Sequence, residues 1–163
     1  LDVLRKERVN IVHHEAFNDE QNTAWKWQPS YWRQCHVTLS MSISHEVVGY
    51  TSARLFHLAS CGACILAESF PGLLELFKED ELLIFRTPAE AVEKVEWAFG
   101  RPEECRIIGQ RAWERVKKEH TITQRMTAIL EDCGFETLVG AIRKPMVQLG
   151  APRLKTIPAS AWA

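Results

Sequence analysis

The sequence contains no long apolar run, no block of like charges and no internal repeat. A helix that crosses a bilayer needs about 20 consecutive apolar residues, so no membrane span is predicted. The formal net charge is −1, and the basic stripe that marks a dedicated nucleic-acid-binding domain is missing. The chain does not begin with Met, so we expect it to be part of a longer product. What remains is the composition of an ordinary globular domain, and 163 residues are enough for one core.

Cysteine occurs an odd number of times, and most of these residues lie in apolar segments. This pattern predicts buried free thiols in a reducing compartment, and therefore a cytoplasmic location. The spacing of Cys61 and Cys64 is also found in redox and zinc sites. However, the pair falls where a helix should end and a strand begin, whereas a redox thiol needs a helix start. No second Cys or His pair lies close enough in the sequence to complete the four ligands of a zinc site. No metal site is predicted. The five cysteines are Cys35, Cys61, Cys64, Cys105 and Cys133.

Four short segments have the pattern of strands, namely residues 9–12, 35–40, 63–67 and 82–85. The third is a continuous apolar run, which is typical of a parallel strand covered on both faces. Helical segments follow most of these strands. The order predicts an α/β fold, a partial Rossmann-like parallel sheet of about four strands with C-terminal helices.

The helix starts are marked by capping residues. Thr51 or Ser52 can cap a helix that ends before Gly62. Thr87 can cap the next long helix, with Glu90 completing a capping box. Further helices are predicted through Phe77, over residues that include Ile108 and Val116, and from Thr121 to Gly134.

The last part of the chain differs in composition. From residue 137 onward there is no acidic residue, and three prolines share the segment with Arg and Lys. We therefore divide the chain into a domain over residues 1–136 and a basic, Pro-containing tail over residues 137–163. Two alternatives stay open for the tail, a loosely docked terminus and a segment that lies across a partner domain.

A candidate anion site follows the second predicted strand. Ligands of parallel α/β sheets bind beyond the carboxyl ends of the strands, and here a loop over residues 42–50 leads into a helix start. The first amides of a helix are free donors that attract phosphates. Gly49 allows close backbone approach, and Arg54 adds a planar cation suited to phosphate. The sequence therefore predicts a phosphate-sized anion site at residues 49–54.

This stretch, residues 49–63, resembles the signature of the spore-maturation-type (CgeB-like) glycosyltransferases. These enzymes have the GT-B fold, in which two Rossmann-like domains face each other across a cleft. The similarity covers roughly residues 30–133. It continues through residues 70–77, 85–88, Glu90, Gly109, Arg111, 115–116 and 119–121.

The resemblance implies the C-terminal, donor-binding domain of such an enzyme. The donor would be a UDP- or GDP-linked sugar, bound as a substrate with no cofactor or metal. The helix start would hold the diphosphate, and position 57 would reach ribose or sugar hydroxyls. His45 is a further candidate because it lies in the preceding loop. The predicted substrate-binding residues are His45, Gly49, Tyr50, Thr51, Ser52, Arg54 and His57; no catalytic residue is predicted.

Two departures from the family pattern leave alternatives open. Related enzymes usually carry Glu where this chain has His57. The histidine could still bond a sugar hydroxyl. It could equally mark a different donor, a loss of activity or a purely structural role. If residues 9–12 form a middle strand, the acceptor domain and the first strands are missing. We therefore expect a part of an enzyme that is inactive alone and works with an N-terminal acceptor domain or a partner chain. The alternative is a non-catalytic binding or assembly module, and self-association into a homo-oligomer stays open.

Other side chains are interpreted more simply. The aromatic cluster at Trp25, Trp27, Tyr31 and Trp32 is expected to pack against the sheet, with sugar stacking or a partner interface as alternatives. His13 and His14 are interpreted as a polar loop, and Glu75 as a helix carboxylate that could approach the cleft. His120 precedes a helix cap and is interpreted as structural.

Overall fold

The computed structural model of the protein describes residues 32–44 and 47–142. The predicted strand at residues 9–12, the candidate His45 and residues 143–163 of the predicted tail lie outside the described residues, as do His13, His14, Trp25, Trp27 and Tyr31.

The described strands form one parallel sheet in the order β1, β2, β3. The strands are β1 Thr38–Ser40, β2 Ile65–Glu68 and β3 Leu83–Phe85. Leu66 of the central strand is paired with Leu39 on one side and Leu83 on the other. Burial on both faces explains the apolar run of β2. The sequence predicted these three strands, although each begins one to three residues later than expected.

A helix follows each strand and three more helices come after these, while residues 32–34, before β1, are also helical. The helices after β1 are α1 Ala53–Ser60, α2 Leu73–Leu76, α3 Pro88–Phe99, α4 Pro102–Glu119, α5 Ile122–Asp132 and α6 Glu136–Ile142. The predicted α/β class with a parallel, partial Rossmann-like sheet is confirmed. Helix α6 was not predicted, and it includes the first residues of the segment assigned to the tail. No helix among the described residues is both long and apolar enough to cross a membrane.

The predicted helix caps are present, with one correction. Thr87 Oγ1 accepts from the Glu90 amide at 3.2 Å, but the Glu90 carboxylate accepts from the amide of Arg86 at 2.8 Å. The predicted reciprocal bond to Thr87 is therefore wrong, because the carboxylate reaches one residue further back. The reciprocal arrangement occurs instead in α5, between Thr121 and Gln124.

The core lies on both faces of the sheet. Ile65 belongs to a cluster with Leu55 of α1 and Val116 of α4, and Trp32 packs against this cluster. The next residue of β2, Leu66, belongs to the opposite cluster with residues of α3 and the start of α4. Successive side chains of a strand point to opposite faces, so one central strand connects two helical layers.

Helix α4 approaches the end of α1 very closely at one point. A Cβ atom on Gly109 would lie 2.3 Å from the Gly62 carbonyl oxygen. Further along α4, Val116 and His120 lie beside Phe56 and Leu76. The C-terminal end of α4 therefore lies beside the helices that begin at the carboxyl edge of the sheet.

A largely buried ion pair connects α4 to the turn before β3. The Nε atom of Arg115 lies 3.1 Å from both carboxylate oxygens of Glu81, which also accepts from the Lys78 amide at 2.7 Å. Arg115 also bonds Glu119 in the next turn of the helix. The bonds to Glu81 and Glu119 raise the pKa of Arg115, so this cation stays charged.

Candidate functional site

Two loops meet at the carboxyl edge of the sheet, and glycines allow the contact. The Gly49 amide, in the loop after β1, donates to the Pro71 carbonyl in the loop after β2 at 2.8 Å. Gly72 has φ +90°, and a Cβ atom there would lie 2.9 Å from the Gly49 nitrogen. This backbone contact brings the starts of α1 and α2 together at the edge where ligands of parallel sheets bind.

The start of α1 has backbone amides that find no acceptor among the described residues. Ser52 is the N-cap, and its Oγ accepts from the Arg54 amide at 3.1 Å. The amides of Thr51, Ser52 and Ala53 donate no hydrogen bond to any residue that the structure describes. Free amides and the positive end of the helix dipole make this start a place for an anion.

A groove of about 550 Å³ opens beside this helix start. Its walls are α1, the end of α4 and the beginning of α5, and we call it the α1–α4–α5 groove. The predicted site residues Gly49, Thr51 and His57 line it. It is also lined by Ala53, Phe56, Ser60, Leu76, Trp113, Val116, Lys117, His120, Thr121, Ile122 and Arg125.

The remaining predicted site residues are not all gathered there. Tyr50 and Arg54 are exposed but do not line the groove. The hydroxyl of Ser52 caps α1. Glu75, interpreted from the sequence as a helix carboxylate, lines a separate groove of about 780 Å³ with Arg86 and Trp97.

The two histidines of the groove differ in their surroundings. His57 is exposed on α1, and its ring makes no hydrogen bond within the described chain. His120 Nε2 lies 2.9 Å from the Leu76 carbonyl oxygen, and its ring lies 5.4 Å from Phe56 and 5.8 Å from Phe77. His120 therefore joins α4 to α2, which agrees with its structural interpretation, whereas His57 is available to a ligand.

Sequence reasoning missed two cations of the groove, Lys117 and Arg125. The guanidinium carbon of Arg125 lies 3.9 Å from the centre of the Phe56 ring, and Lys117 Nζ lies 4.8 Å from that of Trp113. Both side chains belong to exposed residues, and no Asp or Glu is among the residues lining the groove. They lie 63 and 71 residues after Arg54 in the sequence, and no local pattern connects the two segments.

The surroundings of the cysteine pair disfavour a reactive thiolate. Cys64 and Cys105 are buried, whereas Cys35 and Cys133 are exposed, contrary to expectation. Burial raises the pKa of both the Cys61 and the Cys64 thiol, which disfavours the thiolate that redox chemistry needs. Within residues 32–44 and 47–142, no group of three or more potential ligands could hold a metal ion.

Comparison with known proteins places these observations in a family. A family model described as glycosyl transferase-like matches residues 4–131, a span that contains all three strands and the whole groove. Neither the curated proteins nor the solved structures contain a match to the chain. The narrower resemblance to the spore-maturation type stays a prediction. Since the match covers most of the sequence, the chain belongs to the glycosyl transferase-like family, as a partial Rossmann-like domain of the GT-B type.

Proposed function

We propose that this chain is the donor-binding part of a glycosyltransferase. It binds a sugar linked to UDP or GDP, and the diphosphate lies against the start of α1. The proposal is carried by the amides of Thr51, Ser52 and Ala53, which donate to no described residue, beside a groove that no described acidic residue lines. Family membership supplies the reaction class.

The chemistry of the leaving group supports this assignment. When a sugar is transferred from a nucleotide donor, negative charge develops on the departing diphosphate. A fixed helix start and nearby cations can stabilise that charge without moving. Arg54, exposed in the first turn of α1, can approach the phosphates with its planar guanidinium.

His57 is proposed to bind a hydroxyl of the ribose or the sugar. It lies on the face of α1 that lines the groove. A neutral imidazole has one donor and one acceptor nitrogen, so it can replace only part of what the usual family carboxylate provides. Restoring the carboxylate with His57→Glu therefore tests whether this position selects the donor.

The proposal assigns donor binding to this chain and acceptor binding to another domain or chain. Transfer requires both reactants to be held in register, and the described residues form a single α/β unit. We therefore propose that the chain alone binds donor without transferring the sugar. The buried thiols of Cys64 and Cys105 fit a reducing compartment, and we propose a cytoplasmic location.

Titration calorimetry tests donor binding directly. The purified chain is titrated with UDP-glucose, UDP-N-acetylglucosamine and GDP-mannose. We expect saturable binding of at least one, weakened about fivefold to tenfold by Arg54→Ala, because a charge-assisted hydrogen bond is lost. The matched control is Arg106→Ala, since Arg106 is exposed on α4 and is paired with Glu103.

The alternative function makes the opposite prediction. A binding or assembly module that kept the fold and lost the donor would release no heat with any sugar nucleotide at millimolar concentration. That result in a folded sample, or equal binding by Arg54→Ala and the wild type, would remove the support for the proposed donor site.

A further inference from the structure

We propose that the α1–α4–α5 groove is the phosphate-binding part of the donor site, and that Lys117 and Arg125 are phosphate-contacting residues. The identity of the natural ligand rests on the proposed function. The affinity of the groove for phosphate groups does not, and it can be measured separately.

Two helix starts converge on the groove. Thr51 and Ala53 line it from the start of α1, and Thr121 and Ile122 line it from the start of α5. The N-terminal end of each helix carries a partial positive charge that decays within about one turn. An anion in the groove would therefore be attracted by the starts of both α1 and α5.

The charges in the groove are not neutralised by the described residues. Other cations of α4 are paired: Arg106 with Glu103, Arg111 with Asp80 and Arg115 with Glu81. In contrast, Lys117 and Arg125 form no ion pair with any acidic residue in the described ranges. A concave surface lined by one sign of charge focuses its field and concentrates ions of the opposite sign.

Aromatic rings hold both cations at the wall. Arg125 lies over the face of Phe56 at 3.9 Å, and Lys117 lies over Trp113 at 4.8 Å. A cation over an aromatic face is held in place by the ring quadrupole, so less side-chain freedom is lost when a ligand binds. The volume of about 550 Å³ lies within the range of small-molecule sites, roughly 300–1,000 Å³.

Binding of inorganic pyrophosphate to the full chain tests the groove. We expect Lys117→Met and Arg125→Met each to weaken pyrophosphate binding about tenfold, because each removes one charge. Methionine keeps most of the apolar stem, and Arg125→Lys should recover part of the affinity because it restores the charge. Arg106→Met is the control that should bind like the wild type, and thermal melting confirms that each variant is folded.

The outcomes separate this inference from the proposed function. If pyrophosphate does not bind, or binds folded Lys117→Met and Arg125→Met as tightly as the wild type, the groove is not a phosphate site. If sugar nucleotides still bind in that case and Arg54→Ala weakens them, the proposed function stands without the groove. If pyrophosphate binding depends on Lys117 and Arg125 but no sugar nucleotide binds, the groove is an anion site and the proposed function fails.

Discussion

At the scale of single residues, two helical glycines have opposite surroundings. Gly109 in α4 faces the Gly62 carbonyl so closely that an added Cβ atom would lie 2.3 Å from its oxygen. At Gly140 in α6, no described atom outside its own helix backbone lies within 4 Å of the added Cβ atom. The same substitution should therefore have opposite effects at the two sites.

We predict that Gly109→Ala lowers the free energy of unfolding by about 2 kcal/mol, because α4 must move away from the end of α1. Gly140→Ala should raise it by up to about 1 kcal/mol, since alanine is the better helix former. Urea unfolding followed by circular dichroism measures both. A neutral or stabilising Gly109→Ala would show that α4 and α1 are not packed this closely.

Site residues that interact with near neighbours in the sequence could be predicted. Thr87 and Thr121 were identified as caps because a cap bonds an amide two or three residues away. The helix start at residues 51–54 was found for the same reason. Lys117 and Arg125 were missed because they reach the groove only through the packing of α4 and α5 beside α1, and nothing in their own segments marks them as ligand-binding.

At the scale of elements, sequence periodicity identified the strands and most helices because each buries one face against the sheet. Its errors lie where the pattern is weak. Helix α6 contains Gly140 and borders a Pro-containing segment, so its composition favoured a tail. The predicted start of β1 included Cys35 and His36, which precede the first residue paired with β2, Thr38.

The Arg115–Glu81 pair gives a prediction about how elements are held together. Only 14% and 10% of these side chains are exposed, so removing the cation leaves a carboxylate buried and partly unpaired. We predict that Arg115→Met lowers the free energy of unfolding by about 3 kcal/mol. Arg106→Met removes a pair whose side chains are 69% and 79% exposed, and it should change stability by less than about 1 kcal/mol. Equal urea midpoints for the two variants would contradict the structural role of the buried pair.

Glu119 is the second carboxylate bonded to Arg115, and its contribution to stability should depend on pH. The hydrogen bond from Arg115 lowers the pKa of Glu119 below its ordinary value of 4.5. A carboxylate whose pKa is lower in the folded than in the unfolded protein stabilises the fold at a pH above its ordinary pKa. This stabilisation is lost as the pH falls through the lower, folded-state pKa. The difference in urea midpoint between the wild type and Glu119→Gln should therefore be largest above about pH 5 and should shrink at more acidic pH.

At the scale of the whole molecule, burial falls from the sheet toward the C-terminal helices. Ile65 and Leu66 of β2 are at most 1% exposed, whereas α5 contains no buried residue. One side of α5 carries Ile122, Met126 and Ile129, which are 83%, 42% and 54% exposed. An element with few buried contacts opens at a low free-energy cost, so stability should be graded across the fold.

Hydrogen exchange measures this gradient. We predict that amides of β2 exchange only through global unfolding, whereas those of α5 exchange through local opening, at rates that depend little on low concentrations of denaturant. Equal protection of α5 and β2 would show that the apolar side of α5 is covered by another part of the chain or by a second copy. Repeating the measurement at several protein concentrations then distinguishes the two, because protection by a second copy weakens on dilution and protection by the same chain does not. Since α5 also supplies Arg125 to the groove, slower exchange at its first turns on adding pyrophosphate would connect local stability to ligand binding.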